Sequence, residues 1–279
     1  MSQTAPALVI RRILVALDAS PHSLAALQAS VQLAARIGAE LVGLFVEDTA
    51  LLRLAEIPCT RELLYFSVAG APLTRESMES KFRAQSEQIR RTLEAAARRV
   101  QVAWSFRTVR GTIISEIKAA AAGVDLVALG KGGWSLDRRL RAGSTALEIA
   151  DSSLPVLLLP SDRIPEKAHL IVYYDGSREA QRGLLAATGL SQAGIDGITV
   201  LVESDREPDP FLTETRLANK DIEIRCVYVD AANEAGLLAT LRAEKGGILV
   251  LGSRALLNRL PTLDTILRET EMPLLLLAG

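Results

Sequence analysis

Strand-like and helix-like segments alternate along this sequence, and the whole alternation occurs twice. The strand-like segments are short and almost continuously apolar, which is typical of parallel strands covered on both faces. Segments with helical apolar spacing separate them, so the pattern predicts βαβ units and an α/β fold. The predicted strands are residues 12–17, 40–46, 102–109, 125–129 and 155–159, followed by residues 169–174, 198–202, 222–229, 247–251 and 273–277.

The second half of the sequence repeats the first in register. A length of 279 residues fits two domains of about 100–150 residues each. We predict a first domain at residues 1–160, a polar linker at residues 161–167 and a second domain at residues 168–279. The second copy is shorter, mainly because the first carries an extra stretch at residues 48–77. The matching positions are Asp18 with Asp175, Val46 with Val202, Gly130 with Gly252, and Pro155 with Pro273.

Charge and cysteine content narrow the functional classes. The formal net charge is −1 and no long basic stripe occurs, so we expect no nucleic-acid binding through bulk electrostatics. Cys59 and Cys226 are the only cysteines, and two distant thiols make no disulfide framework. The amino-terminal residues do not resemble a signal peptide, and the longest apolar runs have only strand length. We therefore predict a cytoplasmic protein without a membrane span.

The most informative motif is the loop at residues 130–145, GKGGWSLDRRLRAGST, between a predicted strand and a predicted helix. Glycine lets backbone N–H groups approach a phosphate closely, and a helix amino terminus favours an anion. Hydroxyl groups near the end of the loop can donate as well. The residues concerned are Gly130, Gly133, Gly143, Ser144 and Thr145, and the basic residues Lys131, Arg138, Arg139 and Arg141 make the loop locally positive.

A second group of candidate residues follows the first two strands. Ser20 and Pro21 are suited to begin a helix directly after Asp18. In doubly wound sheets, ligands bind beyond the carboxyl ends of the strands, where the strand order reverses. If the first and fourth strands flank that point, Asp18 and Gly130 face the same crevice. Asp18 would then accept hydrogen bonds from a ribose or base, and the backbone at Val46 would contact a base edge.

Two common nucleotide motifs are absent from the sequence. No G-x-x-x-x-G-K-[ST] segment occurs, which argues against a P-loop enzyme. The first βα turn, residues 18–21, lacks the glycine fingerprint of a dinucleotide site. A glycine-rich loop can also be a structural turn, so the residues by themselves leave nucleotide binding and a purely structural loop both open.

The position of Asp18, the G-x2-G-x9-G-S spacing from Gly130 to Ser144 and the strand that begins at Pro155 resemble the universal stress protein family. The resemblance covers nearly the whole chain as two copies. It implies two tandem Rossmann-like domains of the HUP type, each a five-stranded parallel sheet with helices on both faces. It also implies ATP, with or without Mg²⁺, held by the loop. By position, the adenine and ribose side would use Ala16, Leu17, Asp18 and Val46, and the phosphate side would use Leu129, Gly130, Gly133, Gly143, Ser144 and Thr145.

The second copy departs from the family motif. Gly252 is present, but Ala255 stands in place of Gly133 and Pro261 in place of Gly143. Proline has no N–H to offer a phosphate. We therefore predict that the second copy does not bind ATP in the family manner.

The last strand of each copy is apolar and lies at a sheet edge in the resembled fold. An exposed apolar edge strand invites aggregation. Pairing residues 155–159 with residues 273–277 across an approximate two-fold would remove that hazard within one chain. We therefore predict an intramolecular pseudo-dimer, with two tethered independent domains as the alternative and a homo-dimer also open.

The other chemically distinctive residues favour structural roles. The sequence pattern gives His22 and His169 no nucleophile or carboxylate partner, so we interpret both as solvated side chains. The isolated histidines and cysteines predict no metal site. We expect Cys226 to pack in the core, whereas Cys59, in the extra stretch, could be exposed and oxidisable.

Two apolar features leave alternatives open. Trp134 closes over the crevice, packs on a partner or anchors the loop against the sheet. The apolar run at residues 63–66 is best explained as part of a segment that covers its own domain, with a lid or partner surface as the alternative.

Three functional classes fit these features. The leading hypothesis is a stress-response regulatory protein in which ATP occupancy biases a conformation or a partner interaction. The second is a slow ATP hydrolase, against which no general base or Mg²⁺-binding carboxylate pair is evident, so no catalytic residue is assigned. The third is a ligand-free interaction scaffold or a binder of an apolar small molecule.

Overall fold

The computed structural model describes residues 8–57, 61–62, 71–130, 148–149, 154–160, 164, 168–192, 195, 197–203, 209–230, 233–244, 246–252 and 263–277. The elements of the first half are β1 (Arg12–Leu17), α1 (Pro21–Ile37), β2 (Glu40–Asp48), α2 (Thr49–Ala55), β3 (Arg61–Glu62), β4 (Ala71–Pro72), α3 (Arg75–Arg99), β5 (Trp104–Gly111), α4 (Ile113–Ala121), β6 (Leu126–Gly130) and β7 (Val156–Leu159). Those of the second half are β8 (His169–Tyr174), α5 (Arg178–Gln192), β9 (Ile198–Glu203), α6 (Pro210–Ala218), β10 (Ile224–Val229), α7 (Glu234–Ala243), β11 (Gly247–Leu251), α8 (Leu263–Thr270) and β12 (Leu274–Leu276).

In the part of the chain that the structure describes, ten strands form one sheet in the order β10–β9–β8–β11–β12–β7–β6–β1–β2–β5. Neighbouring strands are parallel except β7 and β12, which are antiparallel. The two halves have the same order of strands, third–second–first–fourth–fifth. Right-handed crossovers then put α1 and α3 on one face of the first half and α4 on the other. The predicted α/β class is confirmed.

Small and branched aliphatic side chains build the core, because aromatic residues make up only 4% of the chain. Residues 13–17 of β1 and all of β7 are buried. The alanines of α1 at positions 26, 29 and 34 are fully buried, and their small side chains let the helix lie close to the sheet. Phe45 of β2 and Phe82 of α3 pack edge to face with ring centroids 6.1 Å apart, which helps to hold α3 on the same face.

The carboxyl ends of β2 and β5 extend two residues beyond the predicted strands. The ladder between them continues through Glu47–Arg110 and Asp48–Gly111. An ion pair with N···O of 2.7 Å joins Glu47 to Arg110, so these polar residues continue the strands instead of starting a loop. Asp48 then caps α2, its carboxylate accepting from the Ala50 N–H at 2.8 Å.

The final strands of the two halves pair with each other at the centre of the sheet. β7 and β12 are antiparallel, with Leu158 opposite Leu274 and Leu157 opposite Leu275. Both strands are buried along their whole lengths. Burial of aliphatic side chains of this size stabilises by about 1.5–3 kcal/mol each. The contact between the halves is therefore a continuation of the apolar core.

The extra stretch at residues 48–77 contains α2 and the small antiparallel pair β3–β4. α2 packs on α3 and buries Leu52 and Ala55. Cys59 and the apolar run at residues 63–66 lie outside the described residues. None of the described helices has both the length and the apolarity that a membrane span requires.

Candidate functional site

A tight turn joins β1 to α1 at the carboxyl edge of the sheet. Asp18 accepts a hydrogen bond from the Ser20 N–H at 3.0 Å, and Ala19 between them adopts a left-handed conformation with φ of 61°. Ser20 caps α1 by accepting from the Ser23 N–H at 3.1 Å, and Pro21 occupies the first turn. The predicted start of the helix is confirmed. The turn fixes the Asp18 carboxyl group at the end of β1.

The strand order reverses at β1, which pairs with β2 on one side and β6 on the other. The first and fourth strands therefore flank the switch point, as the sequence argument requires. The β1–β6 ladder pairs Ile13 with Leu126 and Val15 with Ala128. Continuing that register places Leu17 beside Gly130, so Asp18 and the start of the glycine loop share one edge.

Gly130 lies directly against the first turn of α1. A Cβ atom at this position would be 2.5 Å from the His22 carbonyl oxygen and 2.7 Å from its carbonyl carbon, closer than real Cβ atoms approach. The glycine therefore permits the contact between the end of β6 and the helix. Sequence reasoning assigned Gly130 to phosphate binding and missed this packing role, although the matching Gly252 was a signal for it.

The apolar side chains at the carboxyl ends of these strands are buried. Ala16, Leu17 and Leu129 are at most 2% exposed, so their side chains belong to the core rather than the crevice. Val46 is equally buried and pairs with Val109 of β5. The β1–β2 ladder ends at Leu17–Phe45, and β2 therefore continues past its last β1 partner. A ligand here would meet the backbone, not the side chain, of Val46.

Of the ten predicted site residues, six surround the carboxyl ends of β1, β2 and β6. They are Ala16, Leu17, Asp18, Val46, Leu129 and Gly130. The loop residues Gly133, Gly143, Ser144 and Thr145, together with Trp134, lie outside the described residues. Beyond the loop, Glu148 and Ile149 are helical, and Ile149 is fully buried.

A charged cluster at the same edge was missed by the sequence analysis. Arg110 at the end of β5 pairs with Glu47 of β2 at 2.7 Å and with Glu79 of α3 at 3.1 Å. The hydrogen bond from Arg110 to Glu47 is the main reason why the pKa of the guanidinium is raised above its usual value. The cluster ties α3 to the strand ends that flank the crevice. The acidic residues at the end of β2 and the basic residues of β5 could not reveal it without the register between the two strands.

The second half repeats the turn that follows the first strand. Asp175 accepts from the Ser177 N–H at 3.0 Å and from its hydroxyl at 2.5 Å. Gly176 between them is left-handed with φ of 72°. A Cβ at Gly252 would be only 1.5 Å from the Glu179 carbonyl oxygen, so this glycine too lets a strand end contact the first helix of its half.

Tyr174 distinguishes the second half from the first. It occupies the register position of Leu17, is 1% exposed and donates to the Asp209 carboxylate at 2.6 Å. Asp209 caps α6 by accepting from the Phe211 N–H at 2.8 Å. Burial, and then the adjacent Asp209 carboxylate, raise the pKa of the Tyr174 phenol above its usual value. The neutral phenol thus ties the end of β8 to the start of the helix that follows β9.

The interpretation of His169 as a solvated side chain is wrong. Its Nε2 lies 3.1 Å from Oε2 of Glu244. The Glu244 carboxylate also accepts hydrogen bonds from Arg225 and, at 3.3 Å, from the Thr199 hydroxyl. Glu244 is 75 residues away in sequence, which is why no local pattern indicated it. His169 and Thr199 lie near the amino ends of β8 and β9, so this network stabilises the side of the sheet opposite the crevice.

His22 and Cys226 agree with their structural interpretations. His22 is exposed. Cys226 lies on the edge strand β10, partly buried against the core. Among the described residues, the histidine, cysteine and acidic side chains form no group of three that could hold a metal ion.

Comparisons with known proteins agree with this architecture. A sequence model of the universal stress protein family matches residues 10–160, whereas no curated protein matches the chain. A solved universal stress protein from Archaeoglobus fulgidus DSM 4304 is 17% identical with a TM-score of 0.66, covering 96% of this chain and 98% of that chain. A functionally unknown protein from Pseudomonas aeruginosa PAO1 is 14% identical with a TM-score of 0.52, covering 98% of this chain and 94% of that chain.

A universal stress protein family protein from Arabidopsis thaliana was solved with AMP bound. It is 14% identical with a TM-score of 0.36, and the match covers 56% of this chain and 96% of that chain. The likeness to the first two structures shows the fold across both halves, and the family match covers more than half of the sequence. On these grounds the chain belongs to the universal stress protein family.

Proposed function

We propose that the first half binds an adenine nucleotide, with ATP as the leading candidate, at the carboxyl ends of β1, β2 and β6. The observation that carries this proposal is the contact of Gly130 with His22 at the switch point. It brings the start of the glycine loop next to the Asp18 turn and the amino terminus of α1. Ligands of doubly wound sheets bind at such reversal points.

The residues around the edge divide into two sets by chemistry. Asp18 would accept from ribose or base donors, and the backbone at Val46 would contact the base. Gly133, Gly143, Ser144 and Thr145 would offer N–H and hydroxyl donors to the phosphates, with the basic residues of the loop neutralising their charge. Mg²⁺ bound with ATP would add further neutralisation, with phosphate and water oxygens as its preferred ligands.

The nucleotide would act as a regulator in this proposal. ATP occupancy would bias a conformation or a partner interaction of a stress-response protein. The basis is family membership and the position of the site beside α1. This helix also contacts β7, one of the two strands at the centre of the sheet. A change at the site could therefore reach the contact between the halves.

The first experiment identifies any nucleotide released when the purified protein is denatured. Calorimetric titration with ATP, ADP, AMP and cyclic AMP then measures preference, and a turnover assay separates regulation from slow hydrolysis. Gly133→Val should weaken ATP binding by about 2 kcal/mol, or roughly 30-fold in Kd, through lost N–H contacts to charged oxygens. Ala255→Val, the matching change in the second half, is the control and should leave affinity unchanged. Equal ATP affinity of a folded Gly133→Val variant would contradict the site.

Asp18 can be tested separately from the loop. Asp18→Asn keeps an acceptor for the Ser20 N–H but removes the charge. We expect weaker ATP binding, because a bond from a ribose hydroxyl to a carboxylate is stronger than one to an amide. Asp175→Asn, in the equivalent turn, is the matched control. If both variants bind ATP like the parent protein, Asp18 does not contact the nucleotide.

A further inference from the structure

Helix α1 contacts two functionally different parts of the chain. Its first turn lies on Gly130, where the main chain of His22 leaves no space for a Cβ. Farther along, side chains of α1 form hydrogen bonds with the backbone of Ile164, which lies between β7 and β8 in the predicted linker. The helix spans 17 residues, and from His22 to Gln32 it rises by about 15 Å. One rigid element therefore joins the proposed nucleotide edge to the connection between the halves.

The contact with Ile164 uses both of its backbone polar groups. The Ile164 N–H donates to Gln32 Oε1 at 3.2 Å, and its carbonyl accepts from Arg36 at 3.3 Å. Gln32 and Arg36 are four residues apart, so they share one face of α1. The Ile164 side chain is 3% exposed. Two side chains of α1 and burial of the isoleucine thus fix this point of the chain.

The Gly130 contact makes α1 sensitive to the proposed site. Backbone atoms meet there without an intervening side chain, so a shift at the end of β6 cannot be absorbed by a rotamer change. A nucleotide that shifts Gly130 on binding would therefore move or stiffen the helix. The clamp formed by Gln32 and Arg36 would then transmit that change to Ile164.

We propose that Gln32 and Arg36 are positioning residues that couple nucleotide occupancy to the segment entering the second half. The inference rests on the proposed nucleotide function and adds a route for its regulation. The Ile164 amide is the direct reporter, because its hydrogen bond to Gln32 protects it from exchange with solvent. ATP can affect Ile164 only if the free energy of the interactions that connect the two sites differs between the nucleotide-free and the nucleotide-bound protein.

The experiment measures exchange of the Ile164 amide by NMR on the full chain labelled with ¹⁵N-isoleucine, with and without saturating ATP. The signal is assigned with Ile164→Val. We expect ATP to change the exchange rate by about fivefold or more, a factor typical of allosteric coupling. In Gln32→Leu/Arg36→Met, the amide should lose protection in both states, and the effect of ATP should disappear.

Two further variants separate coupling from general stability. Gln28→Leu changes α1 one turn earlier, in a groove of about 400 Å³ against α3, and should keep the response of Ile164 to ATP. Gln32→Glu retains an acceptor for the Ile164 N–H and should restore the response. If the clamp were purely structural, the double variant would be less stable, but ATP would not change the exchange rate of the Ile164 amide even in the parent protein.

The outcomes distinguish this proposal from the proposed nucleotide binding on which it rests. ATP binding with unchanged exchange at Ile164 overturns the coupling and leaves the nucleotide function intact. A response that persists in the double variant, or disappears in Gln28→Leu, shows that the clamp is not the route. Absence of binding in the titration of the parent protein with ATP overturns both proposals.

Discussion

Ala19 and Gly176 adopt the same left-handed conformation, with φ of 61° and 72°, in equivalent turns of the two halves. Each stands between an aspartate that follows the first strand and a serine whose N–H that aspartate binds. Glycine accepts this conformation without steric cost, whereas alanine does not. The first half therefore keeps local backbone strain beside the proposed nucleotide site.

This relationship predicts opposite effects of reciprocal substitutions. Ala19→Gly should relieve about 1 kcal/mol of strain, partly offset by greater freedom of the unfolded chain, and so stabilise by about 0.5 kcal/mol. Gly176→Ala should destabilise by about 0.5–1 kcal/mol for the same reasons. Urea unfolding of both variants checks the signs. Stabilisation by Gly176→Ala would show that the turn tolerates a side chain at this φ.

Gly130→Ala and Gly252→Ala should both destabilise, because each added methyl group would overlap backbone atoms of a neighbouring helix. Overpacking of this kind costs about 1–3 kcal/mol. The loss should be larger at Gly252, where the Glu179 carbonyl oxygen is only 1.5 Å from the Cβ position.

The glycine series has an internal control and a second readout. Gly123→Ala, at a position with no atom within 4 Å of its Cβ, should be near neutral in thermal unfolding. Gly130→Ala should also weaken ATP binding, because it displaces the first turn of α1. If Gly130→Ala is as neutral as Gly123→Ala, the close contact with His22 is absent in solution.

The sequence indicated the local features of this fold and the order of its strands, but it missed side-chain contacts between distant residues. Ser20 and Pro21 predicted the helix start, because capping depends on neighbours in sequence. Tyr174 bonds to Asp209 across 35 residues, and no periodic pattern encodes such a pair. The strand ends were placed two residues short because Glu47 and Arg110 look like loop residues until their pairing is known.

We predict that each chain binds one nucleotide. Tyr174 fills the register position of Leu17 and fastens the end of β8 to Asp209, adding to the loop changes at Ala255 and Pro261. Equilibrium dialysis with labelled ATP should give a stoichiometry near one. Tyr174→Phe should not raise it, because the loop would still lack phosphate donors. Two equivalent sites would contradict the assignment of the second half.

Tyr174 should also limit stability in alkali. The pKa of its phenol is raised in the folded protein, so this group contributes stability that is fully present below the unfolded pKa of about 10. Above that pH the unfolded chain loses the proton first, and stability falls. Tyr174→Phe should reduce this alkaline slope, measured by urea unfolding between pH 9 and pH 11.

The same substitution has a defined cost at neutral pH. Removing the hydroxyl group takes from Asp209 the hydrogen bond to its Oδ2 and leaves the one from the Phe211 N–H. Loss of a hydrogen bond to a charged group should destabilise by about 1.5–3 kcal/mol. Tyr228→Phe, at a tyrosine that is 66% exposed, is the control and should stay within about 0.5 kcal/mol of the parent. Equal slopes and equal stabilities for both variants would argue against the Tyr174–Asp209 bond.

The antiparallel pair β7–β12 predicts the behaviour of the first half alone. In a fragment of residues 1–160, β7 would become an exposed edge strand of Val156 and three leucines. Exposed apolar edges pair with other chains, whereas a charge on the edge prevents this. Sedimentation should therefore show self-association of the fragment through the strand that pairs with β12 in the full chain. A stable monomeric fragment with unaltered ATP affinity would show that the second half is not required to cover β7, and would favour two tethered domains over an intramolecular pseudo-dimer.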